Sequence, residues 1–383
     1  MERDRQENAK FLGDFDELFD IKNSTEELAL VENLAVTPAE VYPISIESVM
    51  EMIFTPGEIY WKKKSGKLIK VLRAGEAVDV KAVTKFKERK MDLAIKWMSS
   101  TEMVDLVSGH FEQLKNAINE LERVELRKKI LEWFKESYWR ADKKANFLDL
   151  TQIGEKVFYT FNEEMSEILK GTSQMIFERA ALVGTIGVFS ALALGHTDFK
   201  TLQDIYGLCY LFDFAFDKNS YSFNLNKATE LERAAPGDGV AFLIVGEDTG
   251  PELGPFMQHT FRGARLARER CGKFFHSEGI LKNITIHHER INGNGFPLRI
   301  NEDEMSDVEE LIIFLNSVIP YRCFNYELND AKGFFKKIVY ESEVFGLNES
   351  ITKRFKKMII KVMEGIGAEE NPSPIPSIVE ATK

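Results

Sequence analysis

The chain has 383 residues, 44% of them hydrophobic and 29% charged, with a net charge of −11. That is enough apolar material for two or three soluble domains. The negative balance excludes the extended basic face that a nucleic-acid groove needs to neutralise phosphates, but not a small anionic ligand held by a local basic pocket or a metal.

Residues 1–36 are acidic and weakly periodic, and read as a partly disordered leader. They open on "MERDRQENAK" with no apolar h-region, so no secretory signal is visible. "VYPISIESVMEMIF" joins a strand to a short helix. "GEIYWKKKSGKLIKVLRAGEAV" alternates as a hairpin, with Ser65-Gly66 expected as a two-residue turn. "DVKAVTKFKERKMDLAIKWM" adds a helix and a third strand. Residues 37–98 therefore form a small α/β domain. Its cluster Lys62, Lys63, Lys64, Lys67 and Lys70 reads as the solvated face of a hairpin rather than a binding patch, because lysines keep edge strands soluble.

Residues 99–172 carry apolar positions at three- and four-residue spacing, with charges between them. They predict a helical connector through which two copies of the chain could pair as a homodimer. Residues 173–367 are again mostly helical, and 368–383, with three prolines, form a flexible tail. The longest apolar run, "AALVGTIGVFSALALG" (180–195), is short of the roughly 17–25 residues of a membrane span. Its Gly, Ala and Ser content predicts a buried helix packed closely on its neighbours. No membrane association and a cytoplasmic location are expected. Cys209, Cys271 and Cys323 include no CxxC pair, which points to a reducing compartment and buried thiols. The fold class is thus mainly α, a C-terminal helical bundle preceded by the small α/β domain and the connector.

The chemistry concentrates in "ITIHHERINGNGFPLRI", 284–300. On an α-helix the adjacent His287 and His288 point about 100° apart, unlike the i, i+4 pair of a zinc protease. Both can ligate only where a metal cluster sits across the helix edge or where the helix ends, and "INGNGFP" supplies two glycines and a proline to end it. His110, His196 and His276 read as structural or surface residues, His196 as a helix C-cap.

"HHERINGNGFP" resembles the HHExxDGxGYP signature of the HD-GYP family, metal-dependent phosphodiesterases that open cyclic di-GMP. His287, His288, Glu289, Gly293, Gly295 and Pro297 match, while Asn292 stands for the family's Asp and Phe296 for its Tyr. "HTFRGARLA" (259–267) is similar to the HPxxGxxxL segment, with His259 and Gly263 in place and Thr260 for the proline. "IYGLCYLFDFAF" (205–216) is similar to the helix bearing LLHDIGK; Asp213 is kept, Phe212 replaces the histidine and Phe216 the lysine. By spacing, Ala180 falls where the first ligand histidine would stand. "EELIIFLNSVIPYR" is similar to ARIxxxAD, with Glu310 for the arginine and Asn316 for the final aspartate. The likeness spans about half the chain, and residues 217–255 are longer than the family norm, as for a loop inserted over the site.

The resemblance implies two or three iron or manganese ions in a helical bundle. The first would be held by the positions of Ala180, Phe212, Asp213 and Asn316, and this ligand set is lost. The second would be held by Asp213, His259, His287 and His288, all present. A single Fe, Mn or Zn ion, or none, is expected. Cys209, four positions before Asp213, is a weaker candidate ligand, since a free Cys is usually a small core residue. Hydrolysis that needs both ions should be absent or very weak. The implied role is a degenerate HD-GYP-like module that senses cyclic di-GMP, or that docks a protein through the 292–297 loop. The alternatives are an active single-metal phosphodiesterase, supported by Glu289, and a helical scaffold binding neither metal nor nucleotide.

Overall fold

The computed structural model describes residues 41–52, 54–134, 147–159, 161, 163, 165, 174–215, 250–290, 293, 295–300 and 305–319. The chain divides into two compact units, Met1–Tyr42, described only at its last two residues, and Pro43–Lys383, which holds every described helix and all but the first residue of the sheet. The fold is mainly α, with a small antiparallel sheet first.

The sheet holds β1 (Tyr42–Ile44), β2 (Gly57–Lys62), β3 (Leu68–Leu72) and β4 (Leu93–Trp97) in the order β1-β4-β2-β3. Central β2 pairs antiparallel with β3, Lys62 opposite Leu68, and with β4, Gly57 opposite Trp97. Gly57 is required here, because a Cβ would lie 2.2 Å from the carbonyl oxygen of Lys96. Helices α1 (Ile46–Met50) and α2 (Val80–Glu88) contribute Val49, Val83 and Phe86 to the core beside Ile59 and Ile95.

The β2–β3 turn departs from the two-residue expectation. Lys63 N–H donates to Lys67 O, and Gly66 N–H donates to Lys63 O. Lys64-Ser65-Gly66 therefore form a three-residue loop, whose last residue needs the φ of +82° that Gly66 adopts. Of the hairpin lysines, Lys62, Lys64, Lys67 and Lys70 are exposed, and Lys63 lies 5.0 Å from the Trp61 ring centroid. Lys70 pairs with Glu58. This is a solvated face.

Helices α3 (Ser100–Asn116), α4 (Glu120–Phe134) and α5 (Phe147–Val157) follow. Ser99 and Glu102 close a capping box at the start of α3. Helix α6 (Gln174–Leu194) is buried at Ile176, throughout Arg179–Phe189 and at Ala191 and Leu192, as its apolar sequence predicts. Its glycines set its closeness to α7 (Phe199–Tyr210): a Cβ on Gly184 would lie 2.9 Å from the Tyr206 ring, and one on Gly187 3.0 Å from Cys209 Sγ. Among the described residues no helix is long and apolar enough to cross a membrane.

One continuous core runs from Phe54 through α3–α7 to Ile319. Aromatic contacts stitch the 100–165 region to α6 and α7. Phe189 meets Phe134 at 4.8 Å and Trp133 at 6.5 Å, and Phe158 stacks on Tyr206 at 4.3 Å. Helix α8 (Gly250–Cys271), the 3-10 helix Glu278–Ile286 and α9 (Asp307–Val318) complete the frame around the site.

Candidate metal centre

Four separate segments converge. Helix α7 ends at Tyr210, so Asp213 stands on the turn beyond it and not on the helix itself. Cys209 remains on α7, buried against Gly187 of α6. Burial pushes its thiol well above the ordinary range, as for a small core residue. His259 comes from α8. His287 and His288 follow a 3-10 helix, not an α-helix, that ends at Ile286 before the glycine loop begins. Asn316 comes from α9. Asp213, His259, His287, His288 and Asn316 are all at least 94% buried.

Asp213, His259, His287 and His288 each offer a donor atom within 4.8 Å of the other three. His259 Nε2 and His287 Nε2 are 3.0 Å apart, and Asp213 Oδ1 lies 3.7 and 3.9 Å from them. Nitrogens about 2.0–2.1 Å from a tetrahedral ion are roughly 3.3–3.4 Å apart, so these donors are spaced for one ion. His287 Nδ1 donates to Ile284 O at 2.5 Å, which fixes the ring and turns the lone pair on Nε2 toward the cluster.

The rings are enclosed. Phe212 stacks on His287 with centroids 5.1 Å apart and planes 3° apart, and Phe296 stacks on His288 at 4.7 Å and 11°. Burial, then the neighbouring His288 and His259, hold His287 well below the ordinary histidine range, against the opposing pull of Asp213. Burial, then His259, Arg179 and Arg290, do the same to His288. Neutral imidazoles are what a metal requires.

Sequence reasoning missed Arg179. Spacing placed Ala180 at the lost ligand position, and Ala180 is buried in the core. The neighbouring Arg179, 2% exposed, reaches the site. Its Nη1 donates to Asp213 Oδ2 at 2.8 Å and its Nη2 to Asn316 Oδ1 at 2.8 Å. Nη2 also meets Asn316 O at 3.1 Å, and Nε donates to Ile319 O at 2.9 Å. The guanidinium thus bridges the two polar members of the ligand set read as lost, Asp213 and Asn316. The available signal was a charged residue inside an apolar helix, which is seldom buried unless paired.

Glu289 shapes the loop. Its carboxylate accepts from the backbone N–H groups of Leu298, of Arg299 at 3.1 Å and of Ile300 at 3.3 Å. Burial pushes its carboxyl up, against these hydrogen bonds. Gly293 has φ +73°, and a Cβ on Gly295 would lie 2.2 Å from Arg290 N. Both glycines of the motif are therefore dictated by backbone geometry. Asn292, Phe216, Cys323, the 217–249 part of the expected insertion and the tail lie outside the described residues; 250–255 form the start of α8.

No family model and no curated protein matches the chain. Among solved structures it is similar to Bd1817, a HDG"Y"P protein from Bdellovibrio bacteriovorus, at 17% identity, covering 83% of this chain and 99% of that chain, with a TM-score of 0.34.

Proposed function

We propose that this chain is a degenerate HD-GYP-like module that holds one metal ion and binds cyclic di-GMP without turning it over. One observation carries the reading. Arg179 spans Asp213 Oδ2 and Asn316 Oδ1, where the HD-GYP resemblance puts the first ion, while Asp213 Oδ1 faces His259 and His287. A fixed cation stands on one side of the carboxylate, and a one-ion donor set on the other. The bound ion would supply a Lewis acid for an anionic group. The chain's own residues would hold that ion, orient it through the His287–Ile284 bond and exclude water with Phe212 and Phe296. Glu289, bound to three loop amides, supports the loop rather than a reacting atom.

The test is the metal content of the purified chain, with His287→Ala as control, followed by calorimetry with cyclic di-GMP and a hydrolysis assay in Mn(II) and Fe(II). The expected result is about one ion per chain, lost in the variant, and nucleotide binding without cleavage. Turnover that disappears in Asp213→Ala would overturn the reading in favour of an active single-metal phosphodiesterase. Neither metal nor nucleotide affinity would leave the scaffold.

A further inference from the structure

The 3-10 helix Glu278–Ile286 is nine residues long. Such helices usually stop after about three or four residues, because their hydrogen bonds are poorly aligned. At about 2.0 Å per residue this one spans about 18 Å, whereas the same residues in α form, at about 1.5 Å each, would span about 13.5 Å. The difference decides where His287 and His288 stand, since they follow directly on Ile286. A helix kept in this extended form has to be held at both ends.

The far end is held at the site. Asn316 Nδ2 donates to His287 O at 2.9 Å, and the Glu289 N–H donates to Ile286 O at 2.8 Å. The near end is held by α7. The buried Asp204 turns both carboxylate oxygens to the entry of the 3-10 helix: Oδ1 accepts from the His276 N–H at 2.8 Å and Oδ2 from the Ser277 N–H at 2.9 Å. Ser277 stands at the N-cap, and its side chain makes no capping bond. One turn further along the same face of α7, a Cβ on Gly207 would lie 2.8 Å from the Phe275 ring, so the bare backbone there seats that ring. Three consecutive residues, Phe275 to Ser277, are thus fastened to α7. The same helix leads at its other end to the turn that carries Asp213, whose Oδ1 lies 3.9 Å from His287 Nε2. One element therefore fixes the start of the 3-10 helix and also carries a candidate ligand opposite its end.

Resting on the one-ion reading above, we infer that Asp204 is a positioning residue for the metal centre. Its carboxylate latches the entry of the 3-10 helix to α7, and this sets the reach of His287 toward Asp213 and His259. Without the latch, two amide N–H groups lose their acceptors, the helix is free to shorten toward the α form, and His287 is drawn out of register. The coupling is reciprocal, so an ion that holds His287 also tightens the latch.

The probe is Zn(II) alone, added to the full-length chain and followed by calorimetry. Asp204→Ala should bind Zn(II) more weakly by about ten-fold or more, although Asp204 is not itself a ligand. A change of less than about two-fold, with one ion bound by the unaltered chain and none by His287→Ala, would overturn the latch and leave the one-ion reading standing. If the unaltered chain binds no Zn(II), the one-ion reading itself fails, and the role of Asp204 with it.

Two further measurements separate positioning from general stability. The first uses the unaltered chain and so does not depend on the variant folding. In nitrogen-15 amide NMR spectra the His276 and Ser277 signals should shift on Zn(II) loading, a whole helix away from the ligands. Signals that stay in place while Zn(II) binds would overturn the coupling. The second uses Co(II), whose visible absorption reports the geometry of its ligands. At saturating Co(II) the spectrum of Asp204→Ala should differ from that of the unaltered chain. Identical spectra, with affinity lowered only in step with stability in urea, would make Asp204 a structural residue alone and overturn its positioning role.

Discussion

Arg179 shows how one buried side chain sets the character of this centre. It is 2% exposed, its partner Asp213 is 4% exposed, and every guanidinium nitrogen has an acceptor. Removing one member of such a pair leaves an uncompensated buried charge, at a cost of about 3–5 kcal/mol. Arg179→Met should lower stability by that amount in urea titrations, and saturating Zn(II) should restore part of it by neutralising Asp213. Arg179→Lys should also destabilise, because an ammonium cannot reproduce the fork that meets Asp213 and Asn316 together. The histidines give a pH dependence. Burial holds His110, His196, His287 and His288 below the ordinary value of 6.5. Their contribution to stability is present above that value and lost as pH falls, because the unfolded chain takes up protons that the folded one refuses. For the fully buried His287 and His288 the slope approaches about 1.4 kcal/mol per pH unit each. The urea midpoint of the metal-free protein should therefore fall between pH 7.5 and 5.5. A flat profile would contradict the burial of these rings.

Among the elements, the loop after the two histidines is the most tightly specified. Phe296 N–H donates to His288 O, Gly293 N–H to Arg290 O, and Glu289 gathers three further amides. Gly295 packs so closely on the Glu289–Arg290 backbone that no side chain fits. Gly295→Ala should cost more than the roughly 1–3 kcal/mol typical of overpacking, and should weaken Zn(II) binding although it touches no ligand. Melting temperature and Zn(II) titration of the same variant check both outcomes. The end of α6 shows an equally explicit local code. Gly195 takes φ +105°, its N–H donates to Leu192 O, and the His196 N–H donates to Ala191 O, the two bonds of a Schellman cap. The Arg127 guanidinium adds bonds to Leu192 O and, at 3.0 Å, to Ala193 O. Sequence reasoning placed the cap at His196, whereas the left-handed residue of the cap is Gly195, one position earlier. The hairpin turn was legible only in part. "KKSGK" announces a glycine turn, but loop length depends on how the strands register, which Lys62 opposite Leu68 decides.

For the whole molecule, the site is an outcome of a shared core. Helices α3 and α4 and the turn after α5 bury Phe111, Trp133, Phe134 and Phe158 against α6 and α7; α6 carries Arg179, and the turn after α7 carries Asp213. Binding a metal to the folded chain alone should stabilise it by about 2.7 kcal/mol at a hundred times the dissociation constant. A thermal scan with and without Zn(II) should show a single shifted transition, and His259→Ala should abolish the shift. The sequence by itself determined the mainly helical class and the buried character of the 180–195 run, and its HD-GYP resemblance singled out Asp213, His259, His287 and His288, whose donor atoms the fold gathers. The first two rest on apolar periodicity, written in neighbouring residues; the four positions rest on likeness to several short motifs far apart in the chain. The tertiary structure alone decided that Arg179 bridges Asp213 and Asn316, and that the Asn316 amide meets His288 Nδ1 at 3.3 Å. These partners lie 34, 137 and 28 positions apart. Local spacing carries no information on such pairs; only the packing of α6, the turn after α7, the end of the 3-10 helix and α9 brings them within hydrogen-bond reach.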